Sequence, residues 1–371
     1  MPDPQPPLSA VTRNAQVITA VVLAGVAFYW LAPILTPLAL AIFLMVMIDA
    51  LARDLQARMP RLGSGASLGA AVAVCIVVFT ATVYVVTARG AGFVTKLFTY
   101  QPRLNAALQG LAQHAHLRMP RTVSALIGSV DPAHYLPAAA TAVQTLATFG
   151  AFVLIYLGFL LAARRGFERK LVRLFHEREG RHEALQVFAR IRDSLERYLI
   201  VQTVCGGIIA VGSYGLMLAV GLDSAFFWAF LILVLFYIPI VGAAIGILGP
   251  TLFALLQFTS AWPGIILGAS LFSLAFVVGN ILMPRMQGRA LNIDPVMVLL
   301  SLAFWGTLWG TTGMFLSTPL TLLVMVVLAQ FSGTRWIAIL LSADGDPRSL
   351  GAPTTAPATR SHKNEPAALP G

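Results

Sequence analysis

The chain has 371 residues, of which 58% are hydrophobic and only 11% charged, with a net charge of +10. That balance excludes a soluble globular chain. It does not read as nucleic-acid binding either, because the basic residues are spread over loops without interleaved aromatics. Two uncharged windows define the class: Ser224 to Pro284 and Pro295 to Thr334 contain no Asp, Glu, Lys, Arg or His. A spanning helix needs about 20 such residues, so each window exceeds one span. The fold class is an all-α polytopic integral membrane protein. Alternating short strands, the mark of a membrane β-barrel, are lacking.

In chain order, residues 1–14 form a Pro-rich tail expected to be disordered. Three N-terminal spans follow within 15–88, at about 15–31, 33–50 and 67–87, the first two joined at Pro33 and Pro37. The first run has a nearby cation, Arg13, but continues without a small-residue cleavage site, so it reads as a retained span. Arg53, Arg58 and Arg61 place the next loop in the cytoplasm. Residues 89–137 form a dilute polar insert placed outside the cytoplasm. Its apolar residues, such as Leu104, Leu108 and Leu111, sit at helical spacing. His114 and His116 in this insert lack a third ligand, so no metal site is assigned. Cys75 and Cys205 fall inside spans and read as small buried hydrophobes.

Residues 138–163 are a further span. The segment 164–198 is basic and cytoplasmic, with ten Lys/Arg and six Asp/Glu between Arg164 and Arg197. Phe188, Ile191, Leu195 and Leu199 recur at helical spacing, and Asp193 with Arg197 forms a supporting pair. This segment runs as an amphipathic helix into the permease core, residues 199–333. The core holds spans at 199–220 and 262–283 and two uncharged runs, 225–258 and 295–328. Each run is 34 residues long, too long for one upright crossing. Pro239, Gly242, Gly246, Gly249 and Pro250 break the first. Gly306, Gly310, Gly313 and Pro319 break the second. The whole chain therefore carries about eight transmembrane helices, with two Gly/Pro-broken segments in the C-terminal half that either cross or re-enter. Residues 334–371 form a short interfacial helix and a disordered tail.

The C-terminal half has an internal echo. A span precedes Gly242 and Pro250-Thr251-Leu252, and a second span precedes Gly310 and Pro319-Leu320-Thr321. Interrupted apolar segments in matching positions point to a transporter site built from repeats. The spacing leaves open whether the repeat is inverted or parallel.

Asn280-x3-Pro284-x3-Gly288-x2-Leu291-x3-Pro295, then Trp309-Gly310-x2-Gly313 and Pro319-Leu320, resembles the autoinducer-2 exporter (AI-2E) family of bacterial permeases. Ile238-Pro239-x2-Gly242 is similar to that family's other recurrent break. The motif-bearing part covers about residues 199–330. The resemblance implies a bacterial inner-membrane permease of about eight spans, with both termini in the cytoplasm and a homo-oligomeric assembly. Some members are associated with export of a small polar quorum-sensing signal, and others with sodium/proton exchange. The resemblance carries no catalytic residues and no cofactor.

A polar solute crossing lipid needs hydrogen-bond partners and freed backbone groups. The substrate-pathway candidates are therefore the breaks themselves and the polar or aromatic side chains near them. At the first break these are Pro239 and Gly242 with Gln202 and Tyr237. At the second they are Gly306, Gly310, Gly313 and Pro319 with Trp305, Trp309, Thr311, Thr312, Ser317 and Thr318. Asn280 is added from the span between them. Trp305 and Trp309 either wall the pathway or anchor a helix end, and Asn280 is either a pathway group or interhelical glue. Asp294, the only acid between Asp223 and Asp344, is either a gate pairing with Arg285 or Arg289 or a cap for the helix starting at Pro295. The expected partners are the lipid bilayer, a small polar solute and other copies of the chain.

Three function classes compete. A permease for a small polar solute fits the two breaks. A sodium (lithium)/proton antiporter needs Asp294 or Asp49 to titrate in a pathway, and the core shows no carboxylate at midplane depth. A membrane scaffold would not need the breaks. An enzyme is least supported, since no ligand set, nucleophile–base pairing or phosphate loop is present.

Overall fold

The computed structural model describes residues 19, 22–61, 63–100, 102–103, 132–174, 178–287, 293–330, 333–343 and 345. The expected N-terminal tail, most of the polar insert with His114 and His116, and nearly all of the C-terminal tail lie outside the described residues. Everything of regular structure that is described is helical, apart from a single bridge between Ile293 and Ser342. Six of the described helices are long and apolar enough to cross a membrane, and two shorter apolar helices accompany them. The chain is an all-helical, multi-pass membrane protein.

Residues 22–30 are helical and turn at Leu31 into α1 (Ala32–Arg58), whose first turn accepts Pro33 because the N–H lost there has no intrahelical partner. α2 (Ser64–Tyr84) runs through a π-helical turn, Val85–Arg89, into α3 (Gly90–Thr99). α4 (Pro132–Leu174) and α5 (Arg178–Val220) each have 43 residues. Residues 164–174 of the basic segment continue α4, and residues 178–198 open α5 and run into the span at 199–220, as expected for that part. At 1.5 Å per residue each helix is about 65 Å long and outreaches a bilayer. α1, α2 and α4 share one apolar cluster built on Ala41, Ile48, Ala71, Val153 and Leu157. α2 is peripheral, with 11% of its most apolar window buried. Its outward Val77 and Val78 are the kind of surface that lipid covers.

The first broken run folds into two helices, α6 (Ala225–Leu235) and α7 (Val241–Gln257), packed side by side as a hairpin. At 11 and 17 residues neither arm reaches the roughly 30 Å of a hydrocarbon core at 1.5 Å per residue. α8 (Trp262–Val277) continues through a second π-helical turn, Val278–Leu282, into the short α9 (Met283–Gln287). The second broken run, α10 (Pro295–Gln330), is also a hairpin. Its backbone leaves helical geometry at Trp309 and Gly310. The Trp305 indole donates to Thr321 Oγ1 at 3.1 Å. Sixteen residues of straight helix would hold those side chains about 24 Å apart. α11 (Arg335–Leu341) then packs along α10. The expected count of about eight included both broken runs and left open whether each crosses or re-enters. The six long helices include the second broken run; the two expected spans outside that tally are the first broken run, which divides into two shorter helices, and the run at 15–31, described as continuous helix only over 22–30.

The two hairpins enter from opposite ends of α5. The open end of α6–α7 lies at the C-terminus of α5, where the Gln257 side chain donates to Gly221 O at 2.9 Å and accepts from Asp223 N at 2.8 Å. α3 clamps this end through Lys96–Asp223 at 3.0 Å and Phe93 stacked on Phe227 at 4.8 Å. The open end of α10 lies at the other extremity. There Leu322, Met325 and Val326 pack with α11 and with Ile191 and Leu195 of α5. The repeat left undecided by spacing is therefore inverted. α10 is the central element: 56% of its most apolar window is buried, the largest share among the spans.

Each tip is made possible by a glycine with no room for a side chain. A Cβ on Gly242 would stand 1.9 Å from Leu235 O, and one on Gly313 would stand 1.9 Å from Trp305 O. In both hairpins the second arm starts by pressing its backbone against the end of the first. Gly242 thus corresponds to Gly313, whereas the sequence echo matched it to Gly310. Gly242→Ala and Gly313→Ala are each expected to lower stability by about 2 kcal/mol or more, as overpacking against backbone does. Gly207→Ala, where nothing lies within 4 Å, should be neutral or raise stability by up to about 1 kcal/mol through helix propensity. Thermal unfolding of the three variants in detergent checks the contrast.

Candidate functional site

Where the first tip reaches the middle of α5, a polar junction forms. Gln202 is 3% exposed, and its Nε2 donates to Phe236 O at 2.6 Å. That carbonyl belongs to the end of α6, which has no further turn to receive it. The amide of Gln202 therefore caps a helix that stops inside the protein. One residue on, Thr203 Oγ1 and Tyr237 Oη lie 2.7 Å apart. Tyr237 stacks on Phe315 of α10 with ring centroids 4.9 Å apart, which joins the two hairpins. Tyr198, one turn earlier on α5, is 2% exposed, and Thr318 of α10 is 5% exposed. Phe43 of α1 and Leu316 of α10 close the junction on its apolar side.

The first tip is strained. Val241 N donates to Pro239 O at 2.6 Å across Ile240, which has φ 63° and ψ −56°. This is a γ-turn of the rare, strained hand, and a β-branched residue is a poor occupant of positive φ. The second tip uses Gly310 at φ 61° and ψ −144°, a region open almost only to glycine. So Ile240 and Gly310 hold equivalent turning positions, one strained and one relaxed.

The structure separates the expected site residues into two groups. Gln202, Tyr237, Pro239 and Gly242 meet at the first tip, and Thr318 reaches the same junction from α10. Ser317 is fully buried beside Thr318 and donates to Met314 O at 2.8 Å. Pro319 follows, also buried. Trp305 and Trp309 are both buried, with rings 5.3 Å apart, and Trp309 Nε1 donates to Phe28 O at 3.1 Å. They brace the second tip against Thr321 and against the helix before α1. Gly306 packs under Met314, Thr312 is half-buried and Thr311 is exposed.

Three candidates stand apart from the junction. Asn280 is exposed on the second π-helical turn, and its Nδ2 donates to Phe276 O at 3.1 Å within the same element. Asp294 Oδ1 accepts from Val296 N at 2.8 Å, the side-chain cap of α10, and Asp294 N donates to Leu341 O at 3.1 Å. Its carboxylate serves the end of a helix. Arg285 is exposed, and Arg289 lies outside the described residues.

Tyr198, Thr203 and Phe315 were not singled out from the sequence. Ser194, Tyr198 and Gln202 repeat every fourth residue on an otherwise apolar helix face, and that polar stripe was the available signal. Thr203 and Phe315 carry no such pattern, because their partners come from other elements.

A helical membrane protein with two opposed, broken hairpins meeting at a buried polar junction has the architecture of a transporter. The comparisons agree: the model of the AI-2E family transporter matches residues 18–333. The chain belongs to the AI-2E transporter family. Among curated relatives, "AI-2 transport protein TqsA" of Escherichia coli (strain K12) is 36% identical over 160 residues, 43% of this chain and 46% of that protein. "Putative transport protein YhhT" of the same organism is 36% identical over 173 residues, 46% of each chain. A "Putative transport protein" of Borreliella burgdorferi is 30% identical over 198 residues, 51% of this chain and 52% of that one. The matched part spans about half the length of these relatives.

Ile240→Gly relieves the positive φ at a site where the side chain is 54% exposed and contributes little packing. It is expected to stabilise the protein by about 1 kcal/mol, read as a higher unfolding midpoint in detergent.

Proposed function

We propose that the protein is a bacterial inner-membrane permease, with both termini in the cytoplasm, that moves a small, uncharged, polar solute past the junction of the two hairpin tips and α5. The carrying observation is the chemistry of that junction. Its side chains, Gln202, Thr203, Tyr237, Tyr198 and Thr318, offer amides and hydroxyls at the point where both hairpins end. Such groups suit a solute rich in hydroxyls or amides. They do not supply the carboxylate that a proton-coupled exchanger uses. Asp294, the acid nearest to the breaks in sequence, is engaged as a helix cap. A quorum-sensing signal of the AI-2 type is a candidate cargo by its small size and polarity, in line with the name of the E. coli relative. Other copies of the chain in the bilayer are the proposed partners.

The purified protein in proteoliposomes tests this. A panel of neutral polyols and pentoses, with the furanone-type signal, is offered while internal pH is followed with and without a sodium gradient. The expected result is saturable solute flux with no sodium-dependent alkalinisation. Gln202→Leu strips the cap from Phe236 O and removes a polar group from the junction. It should cut flux by about tenfold or more, in keeping with the ~1–3 kcal/mol cost of an unpaired buried acceptor. A sodium-driven pH change without solute flux would contradict the proposal.

A further inference from the structure

Among the described residues, two ion pairs join different helices, and both tie the N-terminal helices to α5. At one end Arg53 of α1 bonds Glu196 of α5. At the other Lys96 of α3 bonds Asp223, just past the last turn of α5, at 3.0 Å. α5 is unbroken between these points. From Glu196 to Val220 it runs for about 36 Å at 1.5 Å per residue, more than the roughly 30 Å of a hydrocarbon core. The two pairs therefore lie at opposite faces of the membrane.

Between the pairs the contact is apolar. Phe43 of α1 packs with Tyr198 and Leu199 of α5 and with Leu316 of α10, and its ring meets Phe315 edge-on with centroids 5.7 Å apart. The two units are otherwise built separately, α1, α2 and α4 around one apolar cluster and α5 to α8 around another. At the Asp223 end α3 and the residues after it lie across the open end of the first hairpin. Phe93 meets Trp228 and Phe253 with ring centroids 5.2 and 5.3 Å apart. Tyr100 Oη donates to Asp223 Oδ2 at 3.2 Å, and Arg103 donates to Leu256 O and Gln257 O, the last carbonyls of α7. Charges are a poor choice for a permanent joint, because desolvation offsets much of their attraction. They suit a joint that opens. All four charged side chains keep contact with water, at 18–46% exposed, so water takes over both partners when they separate.

We propose that Arg53–Glu196 and Lys96–Asp223 are the two gating pairs of the transport cycle. The N-terminal helices rock on α5 about the apolar contact at Phe43, and each swing breaks one pair while the other holds. The four residues are positioning residues: they set which face is open and do not touch the solute. In the present structure both pairs are made, so it is the closed member of the cycle. Opening at either face exchanges one ion pair for water, and the lost attraction is recovered on return. The part this motion plays in transport rests on the permease reading, but the placement of the pairs does not.

The test reads water access and needs no identified solute. The full chain, with Cys75→Ser, is placed in sealed membrane vesicles of both orientations, and the probe is a charged, membrane-impermeant methanethiosulfonate. Native Cys205, fully buried, is the internal reference. Leu199→Cys reports on the Arg53–Glu196 end. Phe253→Cys, under Phe93 and Tyr100, reports on the Lys96–Asp223 end, and Ala254→Cys repeats that reading with less loss of packing. Adding Glu196→Gln should speed labelling at 199 about fivefold, the shift that loss of a partly exposed ion pair can bring, and should slow labelling at 253. Adding Asp223→Asn should do the opposite. Each gain should be confined to the face where the broken pair lies. Exchanging the charges, by Arg53→Glu with Glu196→Arg or by Lys96→Asp with Asp223→Lys, should return both rates to those of the chain with its pairs intact. A rise at the released end with no fall at the other is local fraying and would overturn the gating pairs. So would rates that neither substitution moves, or that the charge exchange does not restore. Reciprocal labelling without solute flux in proteoliposomes would instead sink the permease reading and leave the gating pairs standing. Flux with labelling unmoved would do the reverse.

Discussion

A helix that stops inside a membrane leaves backbone carbonyls and amides that lipid cannot solvate, and this constraint organises the molecule. Each hairpin answers it at two points. The tip glycine, Gly242 or Gly313, lets the returning arm lie against the carbonyl end of the first arm. At the first tip a side chain from elsewhere takes up what remains, Gln202 bonding Phe236 O, whereas at the second the hairpin's own Trp309 donates outward to Phe28 O and ties the tip to the helix before α1. The cap at the first tip comes from α5, so α5 cannot move relative to that tip without exposing a buried carbonyl. Such a bond restrains the junction in the present state and sets what must be exchanged for it to change.

The two hairpins are alike in plan and unlike in attachment. The first packs along α5 and α8 through a shared apolar core and is clamped at its open end by α3, through Asp223 and the aromatic group around Phe93. The second is held along its length by α1, α5 and α11. They touch through few side chains, chiefly Tyr237 on Phe315. A thin contact between two separately anchored units is where alternate arrangements are least costly, since packed interiors shift between discrete states and do not deform continuously. The strained γ-turn at Ile240 sits beside this contact, where stored strain lowers the cost of leaving the present arrangement.

Much of this was legible in the sequence, for identifiable reasons. Charge-free windows of more than one span announced the membrane class, because a charge in hydrocarbon is costly. Gly and Pro within those windows located both tips to within a few residues, since close approach and positive φ demand particular residue types. What escaped depended on partners far along the chain. The orientation of the hairpins follows from which end of α5 they pack on, and spacing does not encode that. Asn280 has the chemistry of a pathway residue but bonds its own helix at Phe276 O. Asp294 is isolated in sequence because it caps α10, and its partner is the amide of Val296. Tyr198 hid in an apolar run, yet its four-residue spacing from Ser194 and Gln202 was there to be read.

The central claim is that the two hairpins enter from opposite faces and meet at α5. The most direct measurement places one thiol at each open end, Thr259→Cys beyond α7 and Gly333→Cys beyond α10, and labels sealed vesicles of known orientation with an impermeant reagent. The account predicts that intact vesicles label one position and that the other reacts only after permeabilisation, with the roles exchanged in vesicles of the opposite orientation. Labelling of both positions from the same side would contradict it.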